Sequence, residues 1–541
     1  MQNLQEEWLE KAIFERHINS INYNKFTDPI VIGEGGFGKV FKYEWKDCEL
    51  EVALKCLKVD TSIDEKIIKD FIEELKLLRS VRPIKTLLRS MELQKVDTSL
   101  QDKSTLEDLR KEAREYFKQC KFLKALELFE EILKNNQHNK NDQQSASTWD
   151  FGYFSSYKCG QENLNELIRV LYKNSTLTSL DLSSNNLGSE EGKAIADALC
   201  KNSTLKKLKL DDNNLGSEGG KALANALCKN STLTSLILWN NNLGSEGGKA
   251  LADALCKNSK LTYLNLWGND LGSEGEKAFG DALCKNSMLT SLWLSSNNLG
   301  SEGGKALADA LGKNLTLTEL NLSNNNLGSE EGKAIADALC KNSMLTSLDL
   351  ENNELGSEGG KVLADALCKN STLKELQLSN NKLGSEGRKA LADALCKNST
   401  LKILDLCNNN LGSEGGKALA DALCKNSTLT FLTLNNNNLE SEGGNALVDA
   451  LCKNSTLNYL HLCNNNLGSE VGKALANALC KNSKPTCLAL GGNNLGSEGG
   501  NALVDALCKN LTLTSLNLES NNIGFKLISS NPNLKIAQDS F

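Results

Sequence analysis

Two hydrophobic periods alternate along most of this chain, and they alternate at a fixed interval. Between Asn174 and Lys201 (NSTLTSLDLSSNNLGSEEGKAIADALCK), Leu180 and Leu182 occupy every second position, and Ile195, Ala198 and Leu199 then recur at helical spacing. Period two predicts a strand buried on one face; period 3.6 predicts an amphipathic helix. Asn185 and Leu187 separate the two. Ser189 reads as the helix cap, Glu190 and Glu191 suit the positive helix start, and Lys201 suits its end. The opening Asn returns at Asn202, Asn230 and every 28 residues to Asn510, which gives thirteen strand positions. A unit of this length cannot bury its own apolar face, so the units must stack. Parallel strands pack about 4.8 Å apart and helices about 8 to 10 Å apart, so the stack must bend with its strands inside.

The pattern L-x-x-L-x-L-x-x-N-x-L, carried by Leu177, Leu180, Leu182, Asn185 and Leu187, together with the E-G-x-K-A-L-A-x-A-L helix, resembles the leucine-rich repeats of the ribonuclease-inhibitor class, shared with NOD-like receptors and the Ran GTPase-activating protein. The resemblance implies an α/β horseshoe solenoid over residues 161–530, with a parallel concave sheet, convex helices and a concave face that binds another protein. Within it, Asn163 to Tyr172 is expected as an N-terminal cap helix without its own strand. The period is lost after Phe525, and residues 531–541 are expected as a C-terminal cap or tail. Asn185 and its equivalents Asn213, Asn241 and Asn521 are expected to satisfy the turning backbone, since buried polar groups must be paired.

Composition adds little to this architecture. The net charge of -7, from 61 basic and 68 acidic residues, is spread evenly and argues against nucleic acid as a partner. The opening MQNLQEEWLEKAIFERH has no apolar core of a leader, and no stretch approaches the roughly 18 apolar residues of a membrane span. A soluble cytoplasmic protein that contacts no membrane is the expectation. Most of the 18 cysteines occupy one repeat position, such as Cys200, Cys228 and Cys256. Helices about 8 to 10 Å apart hold these too far apart for disulfides, which need Cα atoms within about 7 Å, so the row reads as soft packing between helices. The recurring Asn-Ser-Thr reads as structural rather than as a glycosylation signal.

The first 80 residues carry a different pattern. Ile32, Gly33, Gly35, Gly36, Gly38 and Val40 form a glycine-rich loop in I-G-E-G-G-F-G-K-V, and Val52-Ala53-Leu54-Lys55 follows at the end of a strand-like run. With Glu74 in a helix-period stretch beyond, residues 1–80 resemble a truncated protein-kinase N-lobe. The resemblance implies Lys55 as a phosphate-binding lysine, Glu74 as its ion-pair partner with the adjacent Glu73 as the other candidate, and ATP as a possible cofactor. The catalytic loop is absent, since none of His17, His138 and His461 begins H-R-D. Asp150-Phe151-Gly152 spells the magnesium-binding tripeptide, but without the intervening elements it reads as an accident. No catalytic or metal-binding residue is therefore expected. Residues 81–134 form a helical segment in which AREYFKQCKFLKALELFEEILKNN resembles a single tetratricopeptide repeat, and residues 135–160 read as a polar linker.

A site must break the uniformity of the repeats. Trp239, Tyr263, Trp267 and Trp293 fall at outward strand positions of three consecutive repeats, a width of about 10 Å, where packing cannot account for them. They are the expected partner-binding residues; Phe431, Tyr459 and His461 form a weaker second group. A non-catalytic signalling scaffold for protein interaction follows, with an ATP-binding kinase-like protein as the alternative and a GTPase-activating protein, by analogy, as the third reading.

Overall fold

The computed structural model describes residues 30–35, 38–45, 50–57, 99–135, 139–152, 161–173, 176–482 and 484–539. The chain divides into two units, Met1–Thr105 and Leu106–Phe541. In the first, β1 (Ile30–Gly35), β2 (Gly38–Trp45) and β3 (Leu50–Leu57) form an antiparallel sheet in sequential order.

The second unit is built on one parallel sheet of fifteen strands in chain order. Thirteen are those expected at the 28-residue interval: β5 (Ser179–Asp181), β6 (Lys207–Lys209), β7 (Ser235–Ile237), β8 (Tyr263–Asn265), β9 (Ser291–Trp293), β10 (Glu319–Asn321), β11 (Ser347–Asp349), β12 (Glu375–Gln377), β13 (Ile403–Asp405), β14 (Phe431–Thr433), β15 (Tyr459–His461), β16 (Cys487–Ala489) and β17 (Ser515–Asn517). A helix follows each of β5 to β16, and the leucines between the layers are almost completely buried, as Leu205, Leu208, Leu210, Leu215, Leu223 and Leu227 illustrate.

Two ladders of buried asparagine lock each repeat to its neighbours. Asn213 Nδ2 donates to Leu182 O at 3.0 Å and Leu210 O at 2.8 Å, while its Oδ1 accepts the N–H groups of Asn185 and Leu187 at 3.0 and 2.9 Å. The Nδ2 contacts recur down the array to Asn521, which donates to Leu490 O at 2.8 Å. A strand that turns sharply into a helix leaves N–H and C=O groups pointing inward, and one amide side chain satisfies both kinds. The second ladder uses the opening asparagines: Asn230 donates to Leu199 O at 2.8 Å and accepts from Thr232 and Leu233 N–H at 3.0 and 2.8 Å. The Asn-Ser-Thr motif is thus structural, its asparagine buried between helix end and strand start.

Several local expectations are revised. Ser189 is the first helical residue rather than the cap; the Gly188 N–H is satisfied instead by the Glu191 carboxylate at 2.9 Å. In most repeats the helix begins one residue earlier, at a glycine such as Gly216 with φ +61°, a conformation that L side chains rarely adopt. Among the repeated cysteines, Cys228, Cys284, Cys340, Cys368, Cys424, Cys452, Cys480 and Cys508 are exposed at helix ends rather than packed between helices. The fifteen cysteines among the described residues of the second unit are free thiols.

The ends of the array differ most from expectation. Residues 135–160 are not a plain linker: α3 (Lys140–Ser147) and β4 (Thr148–Asp150) lie within them, and β4 pairs in parallel with β5. The helix Gln161–Lys173, α4, therefore has a strand of its own and completes a divergent first repeat. Phe151 of the D-F-G tripeptide is buried in the solenoid core. Its ring lies 5.3 Å from Phe117 and 5.0 Å from Phe122, on the helices α1 (Ser99–Lys118) and α2 (Phe122–Asn135), and Trp149 packs 5.2 Å from Phe117. These rings seal the exposed edge of the first coil. At the other end β18 (Lys535–Ala537) pairs with β17, the helix-end carbonyl Leu507 O accepts from Ser529 Oγ at 2.7 Å instead of from an asparagine, and Asn531 donates to Leu513 O at 2.7 Å.

Candidate functional site

Parallel pairing without register shift places every twenty-eighth residue in one row across the sheet face. The first row runs Ser235, Tyr263, Ser291, Glu319, Ser347, Glu375, and the central row Ile237, Asn265, Trp293, Asn321, Asp349, Gln377, Asp405. A third row, two residues beyond the strands' central row, holds Trp239, Trp267 and Glu351. These rows alternate with the buried leucines, so their side chains stand on the open face.

The four aromatic residues singled out in the sequence do meet there. Trp239 and Trp267 lie side by side with ring centroids 5.2 Å apart, and Tyr263 sits diagonally from Trp293 at 6.5 Å. Both indole donors next to the strands find hydroxyls: Trp267 Nε1 donates to Ser296 Oγ at 2.8 Å and Trp293 Nε1 to Ser291 Oγ at 3.2 Å. Those bonds fix the rings while leaving their faces open. Trp267 remains 42% exposed, and Trp239, Tyr263 and Trp293 are half-buried. The second group also assembles, with Phe431 5.5 Å from Tyr459 and 5.1 Å from His461. Burial holds His461 below the ordinary imidazole value, which keeps it neutral, and its Nε2 lies 3.8 Å from Cys487 Sγ. No three potential ligands come together for a metal among the described residues.

Charge on this face is unequal from one end to the other. Near β5, Lys209 Nζ forms a part-buried ion pair with Asp181 at 2.6 Å. Burial opposes the charge on Asp181, but the Lys209 ammonium and the Ser183 hydroxyl outweigh it and hold that carboxyl below its usual range. From β10 to β13 the sequence reading missed a group: Glu319, Asp349, Glu351, Glu375 and Asp405 stand one or two to a strand. None forms an ion pair among the described residues. Instead Glu319 accepts from Ser291 Oγ at 2.8 Å, Asp349 from Asn321 Nδ2 at 2.8 Å, and Glu375 from Gln377 Nε2 at 2.8 Å. Burial first, and the neighbouring Glu351 and Asp405 charges after it, push the Asp349 carboxyl up to about 6. Only the 28-residue register could have revealed this group, since each carboxylate alone resembles any solvent-facing strand residue.

Of the glycine-loop residues, Ile32, Gly33 and Gly35 lie in β1, Gly38 and Val40 in β2, and Lys55 in β3; Gly36, Glu73 and Glu74 fall outside the described residues. Register places Gly33 opposite Val40 and Val40 opposite Lys55.

A family model described as "Leucine Rich repeat" matches residues 173–196, 201–224, 229–252, 257–280, 285–308, 313–336, 341–364, 369–392, 397–420, 425–448, 482–504 and 509–524. The chain belongs to the leucine-rich repeat family. Among solved structures of such repeats, it is similar to a chain in the yeast Rad7 and Elc1 complex, at 18% identity and a TM-score of 0.45 over 84% of this chain and 98% of that one. It is also similar to the leucine-rich repeat-containing protein LegL7 from Legionella pneumophila, at 27% identity and a TM-score of 0.36 over 50% of this chain and 86% of that one. No curated protein matches the sequence. No helix among the described residues is long and apolar enough to cross a membrane. In this leucine-rich repeat protein the matched segments skip residues 449–481, the repeat in which Val471 replaces the usual glycine and Tyr459 is 41% exposed.

Proposed function

We propose that the chain is a protein-interaction scaffold that binds a partner protein through the open sheet face, at Trp239, Tyr263, Trp267 and Trp293. The observation that carries this reading is the tryptophan pair just beyond β7 and β8, its rings 5.2 Å apart, with Trp267 held by Ser296 and still 42% exposed. Large aromatic rings fixed in advance lose little entropy on binding and exclude water from a contact, which is why they anchor interfaces. A cytoplasmic, signalling setting agrees with the many exposed thiols, which a reducing compartment preserves. The test is capture from cell extract with the full chain beside Trp239→Ala/Trp267→Ala/Trp293→Ala, after matching their melting. A specific partner retained by the first and lost by the second supports the reading; identical captures refute it.

A second reading concerns the N-terminal unit. The line Gly33, Val40, Lys55 across three antiparallel strands favours residual ATP binding at the glycine-rich loop. A saturable Mg-ATP signal abolished by Lys55→Ala supports it, and absence of any nucleotide effect removes it. No observation favours GTPase activation.

A further inference from the structure

The aromatic surface does not stand alone on the sheet. It continues, strand by strand, into a face that carries Glu319 on β10, Asp349 and Glu351 on or beside β11, Glu375 on β12 and Asp405 on β13. Lysines on this stretch, Lys374 and Lys402, lie at the margin just before the strands, and neither forms an ion pair with the five among the described residues. Several exposed glutamates on the helix layer behave differently. On the helix layer, Lys417 pairs with Glu414 and Glu442, Lys473 with Glu470 and Glu498, and Lys221 with Glu218. Those glutamates have a lysine within reach, and the five carboxylates on the sheet face do not among the described residues. Part-buried carboxylates of one sign raise the free energy of the empty face, and an incoming cation relieves it.

An indole face attracts the same kind of group. Its quadrupole is negative above the ring, and a guanidinium or ammonium within about 6 Å of the centroid is held by it. Two indoles 5.2 Å apart, with Tyr263 and Trp293 beside them, offer both such a seat and an apolar bed for the stem of the side chain.

We propose that the aromatic surface seats an arginine or lysine of the partner, and that this residue belongs to an extended basic segment whose further cations pair with Glu319, Asp349, Glu351, Glu375 and Asp405. The inference rests on the reading that the open sheet face binds a protein. Spacing decides for an extended segment. From β8 to β13 is five strand intervals, about 24 Å at about 4.8 Å each, which an extended chain crosses in about seven residues. Carboxylates on successive strands lie about one and a half residues apart along such a chain, so they meet cations placed at every first or second residue.

The test uses the full chain and three blocked decapeptides, (Gly-Arg)5, (Gly-Gln)5 and (Gly-Glu)5, followed by calorimetry and tryptophan fluorescence. Saturable binding of (Gly-Arg)5 alone is expected, weakening steeply with salt. Two variants report separately: Trp239→Ala/Trp267→Ala, and Glu319→Gln/Glu351→Gln/Glu375→Gln, which keeps the size and one acceptor oxygen of each side chain and removes its charge. Each should weaken (Gly-Arg)5 by at least about tenfold, and the second should also flatten the salt dependence. Equal binding of (Gly-Arg)5 and (Gly-Gln)5, equal binding to the charge variant, or no binding of (Gly-Arg)5 overturns the proposal. If the tryptophan variant still loses its captured partner while the charge variant keeps it, the face binds a protein of other chemistry, and only the basic segment is refuted.

Discussion

Glu276 offers a sharp test of how the helix layer is packed. At its position the other repeats carry glycine, including Gly220, Gly248, Gly304, Gly360, Gly416, Gly444 and Gly500, apart from Arg388. The side chain of Glu276 is fully buried, and neither carboxyl oxygen has a hydrogen-bond partner. It lies against the following helix, where a Cβ added at Gly303 would stand 2.7 Å from its Oε2. The lysines nearby on these helices point outward: Lys277 approaches Glu274 and Glu302 at 3.7 and 3.8 Å, and Lys249 approaches Glu246 and Glu274 at 3.8 Å. Burial alone therefore governs this carboxyl and pushes its pKa from 4.5 up to about 10. A folded value above the unfolded one means that the folded state holds the extra proton. The contribution to stability is fully present below about pH 4.5 and is lost progressively as pH rises towards 10. Each pH unit in that window costs about 1.4 kcal/mol, so the change between pH 5 and pH 8 is about 4 kcal/mol at most. Glu276→Gln keeps the shape and cannot titrate. Hydrogen exchange of the helices Gly272–Leu283 and Gly300–Leu311 reads local stability without assuming two-state unfolding of a long array. The two proteins should exchange alike at pH 5, and the wild type should exchange faster at pH 8 after correction for intrinsic rates. A gap between them that does not change with pH refutes the argument.

Other outcomes follow from the same geometry. Asn297→Ala removes an amide that donates to Leu266 O, Leu294 O and Ser295 O and accepts from Asn269 N–H, leaving buried backbone groups unpaired. With about 1–3 kcal/mol for each orphaned group, a local loss above about 3 kcal/mol is expected, read as faster exchange in β8 to β10. Thiol labelling of the native protein followed by peptide mapping should modify Cys228, Cys284 and Cys508 quickly. Cys407, whose thiol burial pushes up to about 12, should react last, because the thiolate is the reactive form. Lys417→Ala should change the unfolding midpoint little, since its partners Glu414 and Glu442 are exposed and such pairs contribute at most about 1 kcal/mol.

The array was legible in sequence because each of its determinants is local and repeated. Leu180 and Leu182 announce a strand, Asn185 the turn and Ile195 the helix, and twelve further copies average away any single misreading. What escaped was determined by contacts distant in sequence. Lys140–Ser147 has few apolar residues to mark a helix; it is held by Asp142, which receives Arg110 Nε and Nη2 at 2.8 and 2.7 Å from 32 residues away. Trp149 and Phe151 resembled a linker until α1 and α2 supplied Phe117 and Phe122 as neighbours. The aromatic site was legible because tryptophan at an outward strand position is conspicuous alone. Glu319 and Asp405 are not, and only the register of the sheet makes them one surface.

Departures from the repeat also compensate one another, and the same repeat changes on both of its layers. Ahead of Glu276, Tyr263 and Trp267 stand on the sheet face; behind it, Phe279 replaces the usual Leu or Ile, and Gly280 replaces an Ala. Residues 276 and 280 are one helical turn apart and lie on one face. A Cβ at Gly280 would stand 2.8 Å from Ala306 O, so the helix has drawn close to its neighbour there, where the others stand off by a methyl group. The small residue has moved one turn along the helix as the large one entered, which keeps the interhelical volume while shifting the point of closest approach. Drift at single sites would not produce that pairing, because Glu276 with Ala at 280 overpacks the interface and Gly280 with Gly at 276 leaves a void. Restoring Ala at Gly280 alone should therefore destabilise the repeat, whereas Glu276→Gly combined with Gly280→Ala should stabilise it. If the two substitutions instead add independently in a double-mutant cycle, their adjacency is incidental.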